Sequence, residues 1–189
     1  MKENKRYLAM MVLGLIFISL QQNFAQDKEP FGKLSVKSGE VANDNGLTVA
    51  GYVGWKLSNN WLAAIGANFL TSKLEYALPD VESSIRSEWF SVGLLNEYHK
   101  PVLGQLSLGL NVYTGIGYLT CNASNDVDFN ENDMQFVFEP GVVLIYRFAS
   151  DFALTGGFTY RRILGLDHSI YENEDFSGFQ STLGLEVNL

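Results

Sequence analysis

Beyond residue 46 the chain alternates between large apolar residues and small or polar ones. In the stretch Leu106–Tyr118, one parity carries Leu108, Leu110 and Val112, and the other carries mainly glycine, serine and asparagine. A period of two is typical of a β-strand with one apolar and one polar face. The same alternation predicts six further strands and, less clearly, an initial one, at Leu47–Leu57, Trp61–Phe69, Phe90–Tyr98, Phe138–Phe148, Phe152–Arg161, Phe179–Leu189 and Gly32 to about Glu40.

The connections between these strands are alternately short and long. Tight turns are expected at Ser58–Asn60, Lys100–Gly104 and Ala149–Asp151. Longer polar loops are expected at Val41–Gly46, Ala77–Ser84, Asn122–Met134 and Asp167–Asp175. Short turns at one end and long loops at the other are typical of outer-membrane barrels. The pattern predicts an all-β fold, an eight-stranded antiparallel up-and-down transmembrane β-barrel.

The predicted strands carry their large residues on one face and small or polar residues on the other. The interior of eight strands is only wide enough for side chains, so large residues on every strand would overfill it. The apolar face is therefore expected outside, against lipid. A soluble lipocalin-like carrier, with the two faces inverted, is the alternative. Pro140 interrupts a predicted strand and cannot donate a ladder hydrogen bond, so a bulge or a strand start at Gly141 is expected.

Aromatic residues cluster near the predicted strand ends, as expected at two membrane–water interfaces. The interface at the short-turn end is predicted to contain Trp55, Trp61, Tyr98, Tyr146, Phe148 and Phe152. The set expected near the long loops comprises Phe69, Tyr76, Trp89, Tyr118, Phe136, Tyr160 and Phe176.

The N-terminus has the layout of a secretory signal peptide. Basic residues precede an apolar run from Leu8 to Leu20, and a short polar stretch then ends at Ala25. The run is shorter than the roughly 20 apolar residues of a membrane-spanning helix. We expect residues 1–25 to be the signal peptide and residues 26–189 the barrel domain. The net charge of −8 gives the chain no electrostatic reason to bind nucleic acid.

Several segments resemble the small eight-stranded outer-membrane barrels of Gram-negative bacteria, of the OmpX, OmpA transmembrane-domain and "outer membrane protein beta-barrel" type. These segments are GLTVAGYVGWKLSNNWLAAIGANF (Gly46–Phe69), GLNVYTGIGYL (Gly109–Leu119), FEPGVVLIYRF (Phe138–Phe148) and LGLEVNL (Leu183–Leu189). The resemblance implies a location in the cell outer membrane, contact with membrane lipid, and a monomer whose long loops could meet an extracellular ligand or surface partner.

The polar face of the predicted barrel carries charges of both signs. We expect them to form a structural network in the lumen, because an unpaired buried charge is very costly. A proton or ion path is the alternative reading of the same residues. A filled lumen leaves no open channel. The charged residues are Lys56, Glu97, Glu139, Arg147, Arg161 and Glu186.

The sequence assigns no cofactor, metal ligand or catalytic residue. A lipid-A-directed hydrolase is the catalytic alternative, and His168, Ser169 and Glu172 on one loop would be its candidates. His99 is expected at the membrane interface. The acidic stretch Asp126–Asp133 resembles a calcium loop but lacks the glycine expected at the sixth position.

Overall fold

A computed structural model describes residues 28–42, 44–72, 74–77, 84–123 and 130–189. The expected signal peptide, residues 1–25, lies outside this range. Within it the chain is almost entirely strand. The strands are β1 (Glu29–Val41), β2 (Asp44–Ser58), β3 (Trp61–Leu70), β4 (Leu74–Ala77), β5 (Ser84–Leu103), β6 (Leu106–Ala123), β7 (Asn130–Arg147), β8 (Phe152–Leu164) and β9 (Gly178–Asn188).

The sheet closes into a barrel because β1 pairs with both β2 and β9. All pairings are antiparallel, and each follows chain order apart from this closing seam. β3 and β4 both pair with β5, so together they form one barrel strand. The nine segments therefore make eight barrel strands, and the predicted fold is confirmed.

A local irregularity separates β3 from β4. The ladder pairs Phe69 with Phe90 and Leu74 with Ser87, so the β3–β4 side carries extra residues over this stretch. Thr71 donates from both its backbone N–H and its hydroxyl to the Leu47 carbonyl, at 2.7 and 2.9 Å. β4 is absent from the predicted strands, because four residues are too few to display an alternation.

The three predicted tight turns are present between β2 and β3, β5 and β6, and β7 and β8. The predicted long loop at Val41–Gly46 is wrong. Val41 pairs directly with Asp44, and Ala42 takes a left-handed φ of 50° in the turn between them. Polar turn residues suit a hairpin and a long loop equally, so composition alone does not distinguish the two.

Of the other long connections, the one predicted at Asn122–Met134 is shorter than predicted, the one predicted at Asp167–Asp175 is longer, and the one at Ala77–Ser84 has the predicted bounds. β6 continues to Ala123 and β7 begins at Asn130. Residues 78–83 and 124–129, the centres of two predicted loops, lie outside the described residues. The last connection, residues 165–177, has no strand and contains a short 3-10 helix at Asn173–Phe176.

The two faces of the sheet are placed as a membrane barrel requires. Leu108 and Leu110 are 54% and 62% exposed on the outside. Large apolar side chains surround the barrel in the same way, whereas polar and charged residues such as Ser91 and Gln135 are buried inside. A soluble carrier would need the opposite arrangement.

β7 passes through Pro140 without a bulge. Pro140 pairs with Val112 on one side, and the β7–β8 register is the same before and after it. The predicted bulge or late strand start is therefore wrong. On the β8 side the recorded pairs stop at Phe138 and resume at Gly141, so the proline interrupts the ladder without shifting it.

Inward-facing glycines allow neighbouring side chains to cross the narrow lumen. A Cβ atom on Gly66 would lie 2.1 Å from the Tyr52 ring and 2.6 Å from the Gly51 carbonyl oxygen. The Tyr52 ring therefore packs directly over the Gly66 backbone, and its hydroxyl donates to the Asn68 amide oxygen at 3.0 Å.

Candidate functional site

The six predicted lumen residues face inward, but they do not form one network. Glu97, Glu139, Arg161 and Glu186 are each 1% exposed and lie inside the barrel, with Glu186 directly opposite Lys33 in the β1–β9 register. Lys56 and Arg147 lie near the short-turn end and are only partly buried. Two β1 lysines outside the predicted set complete the ionic contacts of the deep group.

Glu139 is the centre of the first buried cluster. Arg161 donates from Nε to Glu139 Oε1 at 2.8 Å, and Lys37 donates from Nζ to Oε2. Arg161 also donates to the Thr48 hydroxyl at 3.2 Å. Its guanidinium lies 4.4 Å from the centroid of the Trp89 ring, where a cation–π contact is favourable. One carboxylate on β7 thus binds two cations, one from β1 and one from β8.

Lys33 and Glu97 form the second buried contact. Lys33 donates from Nζ to Glu97 Oε2 at 2.7 Å, and both side chains are almost fully enclosed. The prediction omits Lys33 and Lys37 because the alternation of β1 is the weakest of the eight strands. The alternation of β1 would have assigned both lysines to the inner face, since they alternate with Leu34 and Val36.

A more open polar group surrounds the short-turn mouth. Lys56 donates to the Asn188 amide oxygen at 2.6 Å and lies 3.7 Å from the Glu29 carboxylate. Arg147 lies 3.6 Å from Glu186. Glu29, Lys56, Arg147 and Asn188 border a pocket of about 390 Å³ that is open to solvent, whereas Glu186 is not part of its lining.

His99 also borders this mouth, on the inner face of β5. It is buried, and its Nε2 lies 3.1 Å from the Asn59 carbonyl oxygen. The expectation that His99 sits at the membrane interface is therefore wrong, because its parity on β5 is that of inward-facing Glu97.

Residues 165–177, which we call the cap, fold inward over the long-loop mouth. Phe176 and Tyr171 are buried and touch edge to face, with ring centroids 5.4 Å apart. Phe176 stacks on Trp89 at 6.5 Å, and Ser87 donates to the Tyr171 hydroxyl at 3.1 Å. The backbone N–H of Ala42 donates to the Asp175 carbonyl at 2.6 Å, so the cap also binds the β1–β2 turn.

The predicted interface position is wrong for two of the aromatic residues at the long-loop end. Trp89 and Phe176 are 2% and 1% exposed inside the barrel and do not face lipid. Phe90, one residue beyond Trp89, faces outward instead and contacts both Phe69 and Tyr118. The side chain of Tyr76 lies outside the described residues.

The six aromatics predicted at the short-turn end all lie on the outer surface. Two contacts link them across strands: Trp61 meets Tyr98 at 5.9 Å and Phe148 meets Phe152 at 6.2 Å between ring centroids. The exposed set is Trp55, Trp61, Tyr98, Tyr146, Phe148 and Phe152.

The candidate hydrolase residues in the cap do not form a catalytic relay. Ser169 donates from both its N–H and its hydroxyl to Glu131, and His168 Nε2 lies 3.6 Å from the same carboxylate. Among the described contacts, Ser169 and His168 each contact Glu131, and neither contacts the other. Glu172 instead takes part in capping the 3-10 helix with Asp175.

Glu131 precedes Met134, the first exposed apolar residue of β7, and so lies toward the long-loop end of that strand. The hydrogen bonds from Ser169 lower the pKa of the Glu131 carboxyl, because they stabilise its charged form. This contact ties the cap to β7.

The described residues contain no group of three or more histidine, cysteine, aspartate or glutamate side chains placed to hold a metal ion. Most of the calcium-like stretch Asp126–Asp133 lies outside those residues. Cys121 is buried, with its sulfur 3.1 Å from the Ser87 hydroxyl. The part of the chain that the structure describes holds no helix with the length and apolar character needed to cross a bilayer.

Neither a family model nor a curated protein matches this sequence. Solved structures do match its fold. The Neisserial surface protein A structure superimposes with a TM-score of 0.63 at 11% identity, covering 86% of this chain and 97% of that one. A major outer membrane protein from Thermus thermophilus gives 0.59 at 12% identity, covering 85% and 99%. Ail of Yersinia pestis, in complex with the heparin analogue sucrose octasulfate, gives 0.54 at 11% identity, covering 86% and 97%.

These likenesses confirm the resemblance to small outer-membrane barrels at the level of the fold. The outer surface agrees with that fold, since a continuous belt of exposed leucine, valine, isoleucine and phenylalanine requires an apolar solvent. The chain is an integral outer-membrane β-barrel protein in contact with membrane lipid.

Proposed function

We propose that this protein is a non-catalytic barrel with a closed lumen, which supports the cell envelope and presents its long-loop end as a contact surface. The observation that carries this proposal is the filling of the lumen. The Lys33–Glu97 pair and the Lys37–Glu139–Arg161 cluster cross the barrel interior. A pore would need these fully enclosed charges to separate, and an unpaired buried charge costs several kcal/mol.

The cap supports the same proposal from the other side of the cluster. Its buried Phe176 ring packs on Trp89, whose ring also contacts the Arg161 guanidinium. An ion entering from the long-loop end would have to displace the cap and then the ionic cluster. We infer that both layers serve to hold the barrel shut and rigid.

Conductance in a planar lipid bilayer tests the proposal. The purified full-length mature protein should give no stepwise currents in molar salt. Regular single-channel steps from the wild-type protein would refute the closed lumen. Replacing Arg161 with alanine would open part of the constriction. If this variant conducts, it serves as the positive control for insertion of the protein into the bilayer.

The absence of catalysis is tested separately, through lipid A. Overexpression should leave the mass spectrum of lipid A unchanged, because Ser169 and His168 share an acid without contacting one another in the described structure. A mass change that disappears in the His168→Ala variant would instead establish the hydrolase.

We also propose that residues 1–25 are removed on export. N-terminal sequencing of the protein extracted from outer membranes should begin at or within a few residues of Gln26.

We further propose that the barrel is a monomer. Its migration on a gel should change on heating, and detergent alone should release it from the membrane. Crosslinking to a ladder of higher-mass species would contradict the monomer.

A further inference from the structure

At the long-loop end, β7 continues beyond its ladder with β8. The recorded pairs between the two strands end at Phe136 with Leu164, whereas β7 itself begins at Asn130. Over Asn130–Gln135 the recorded pairs of β7 are with β6 alone. No described strand pairs with the opposite edge of this segment, so that edge can accept a further strand.

The chain leaves the β7–β8 ladder at Gly165. This residue has a left-handed φ of 85°, and no atom lies within 4 Å of where a Cβ would be, so the backbone conformation and not crowding requires glycine. The preceding Ile163 N–H donates to the Ser177 hydroxyl on the β9 side, at 3.0 Å. Because N–H groups alternate between the two sides of a strand, the amides of Asp167 and Ser169 would also face away from β7 if β8 continued.

The residues after Gly165 nevertheless remain in register with β7. Counting on along the two strands places Asp167 opposite Asp133 and Ser169 opposite Glu131. The structure joins these same residues through side chains. The backbone N–H of Asp167 donates to the Asp133 carboxylate, and that of Ser169 donates to Glu131 at 3.2 Å. Two carboxylates of β7 thus take the place that backbone carbonyl groups would have in a ladder, and one change of conformation at Gly165 separates this arrangement from a continuous β8.

We propose that residues 165–169, which we call the strap, exchange between two states with Gly165 as the hinge. In the docked state, seen in the structure, the amides of the strap bind the carboxylates of β7. In the extended state the strap continues β8 along the free edge of β7 and draws Tyr171 out of the long-loop mouth. The docked state is the major one, because extension would place the carboxylates of Asp133 and Asp167 directly opposite each other.

Opening the strap uncovers the long-loop mouth without making a pore. The two ionic clusters make no contact with residues 165–169 among the described contacts, so they stay closed in both states. What the extended state uncovers is the Ser87 hydroxyl and the Cys121 thiol, which lie 3.1 Å apart beside Tyr171. The proposal therefore does not depend on the closed lumen.

Hydrogen exchange at single backbone amides distinguishes the two states. In the docked state the amides of Asp167 and Ser169 are bonded, whereas the His168 amide has no acceptor among the described contacts. In the extended state the strand alternation is restored, so the His168 amide donates to β7 and the other two amides do not. A gain in the extended state therefore changes neighbouring residues in opposite directions, which can be measured on the mature protein in detergent micelles.

Gly165→Val is the decisive variant, because valine disfavours a left-handed φ and favours an extended strand. Exchange at Asp167 and Ser169 should quicken by about tenfold, the factor that corresponds to the strain of one left-handed residue, and exchange at His168 should slow. Gly104→Val is the matched control. Gly104 also has a left-handed φ, of 53°, with no atom within 4 Å of a Cβ, but it lies in the β5–β6 turn at the other end of the barrel. The control should leave exchange in the strap unchanged.

An ordered extended state and a simple loosening of the cap give different results. Loosening would quicken exchange at Asp167 and Ser169 without slowing it at His168, and that result would overturn the extended state. Equal changes in Gly104→Val would do the same. If Gly165→Val does not fold, Gly165→Ala should change exchange in the same directions by a smaller factor, and no change in that variant would overturn the hinge.

The single cysteine provides a second measurement. Its sulfur lies beside the Ser87 hydroxyl, which donates to the Tyr171 hydroxyl, so the docked cap covers it. A water-soluble maleimide should label Cys121 about tenfold faster in Gly165→Val than in the wild-type protein. Labelling of Gly104→Val should proceed at the wild-type rate. Equal labelling rates in all three proteins would show that Tyr171 does not leave the mouth, and would overturn the proposal.

Discussion

Removing one member of the Lys33–Glu97 pair should destabilise the barrel far more than removing both. The ammonium nitrogen and the carboxylate oxygen are 2.7 Å apart, with side-chain exposures of 4% and 0%. At an effective dielectric constant of ~20, Coulomb's law gives an attraction of about 6 kcal/mol at this distance. The desolvation of the two ions offsets most of it, so the net value of the intact pair is small.

The single Lys33→Met variant leaves the Glu97 carboxylate buried and unpaired. The expected loss in the free energy of unfolding is about 3–5 kcal/mol. The Lys33→Met/Glu97→Met double variant removes both charges and fills the space with apolar chains of similar length. Its stability should equal or exceed that of the wild-type protein.

Urea unfolding in lipid vesicles, followed by the fluorescence of the three tryptophans, measures the free energy of unfolding of the wild-type protein and of both variants. A double-mutant cycle with Glu97→Met gives the coupling energy of the pair. A Lys33→Met loss below about 1 kcal/mol would show that water or another group reaches Glu97. If the stability loss of the double variant equals the sum of the two single losses, Lys33 and Glu97 do not stabilise the barrel through each other, and the prediction is refuted.

Three further perturbations test other parts of the structure. Gly66→Ala would force a Cβ atom to within 2.1 Å of the tyrosine ring packed over it and should lower the yield of folded barrel on a gel, whereas Gly32→Ala, with no atom within 4 Å, should fold normally. Phe176→Ala empties a buried site and should weaken cap docking by about 3–5 kcal/mol, seen as faster protease cleavage of the cap in an otherwise intact barrel; unchanged resistance would contradict the cap packing. Because the pKa of Glu131 is lowered from 4.5 in the folded protein, its contact with Ser169 is fully present above that pH and is lost as the pH falls below it. Hydrogen exchange at the Ser169 amide, corrected for its intrinsic rate, should rise on acidification in the wild-type protein and be independent of pH in Glu131→Gln.

The barrel strands could be predicted because lipid outside and polar groups inside make the two faces of each strand chemically distinct. Strand ends were less predictable, since the ladders of β6 and β7 continue into polar sequence beyond the apolar belt. The Val41–Asp44 hairpin escapes prediction for a related reason: its residues are polar whether they form a turn or a loop.

The lumen was only partly predictable. Period two assigns Glu97 and Glu139 to the inner face but does not say which cation crosses the barrel to meet each one. Lys37 reaches Glu139 from 102 positions away in sequence. The cap was not predictable, since residues 165–177 have no period, and Phe176 carries no signal that it turns inward. Trp89 could have been assigned correctly, because its parity on β5 is opposite to that of Phe90.

The position of β1 has a consequence for the order in which the barrel can form. Its inner face supplies both lysines of the deep clusters, to acids on β5 and β7, and its edge pairs with β9, the last strand of the chain. Apart from its local hairpin with β2, the contacts of β1 are therefore long-range in sequence, and closing such long loops is entropically costly until many contacts form together. The β1–β2 hairpin can form early, whereas the ionic core and the β1–β9 seam are expected to form together in one late step.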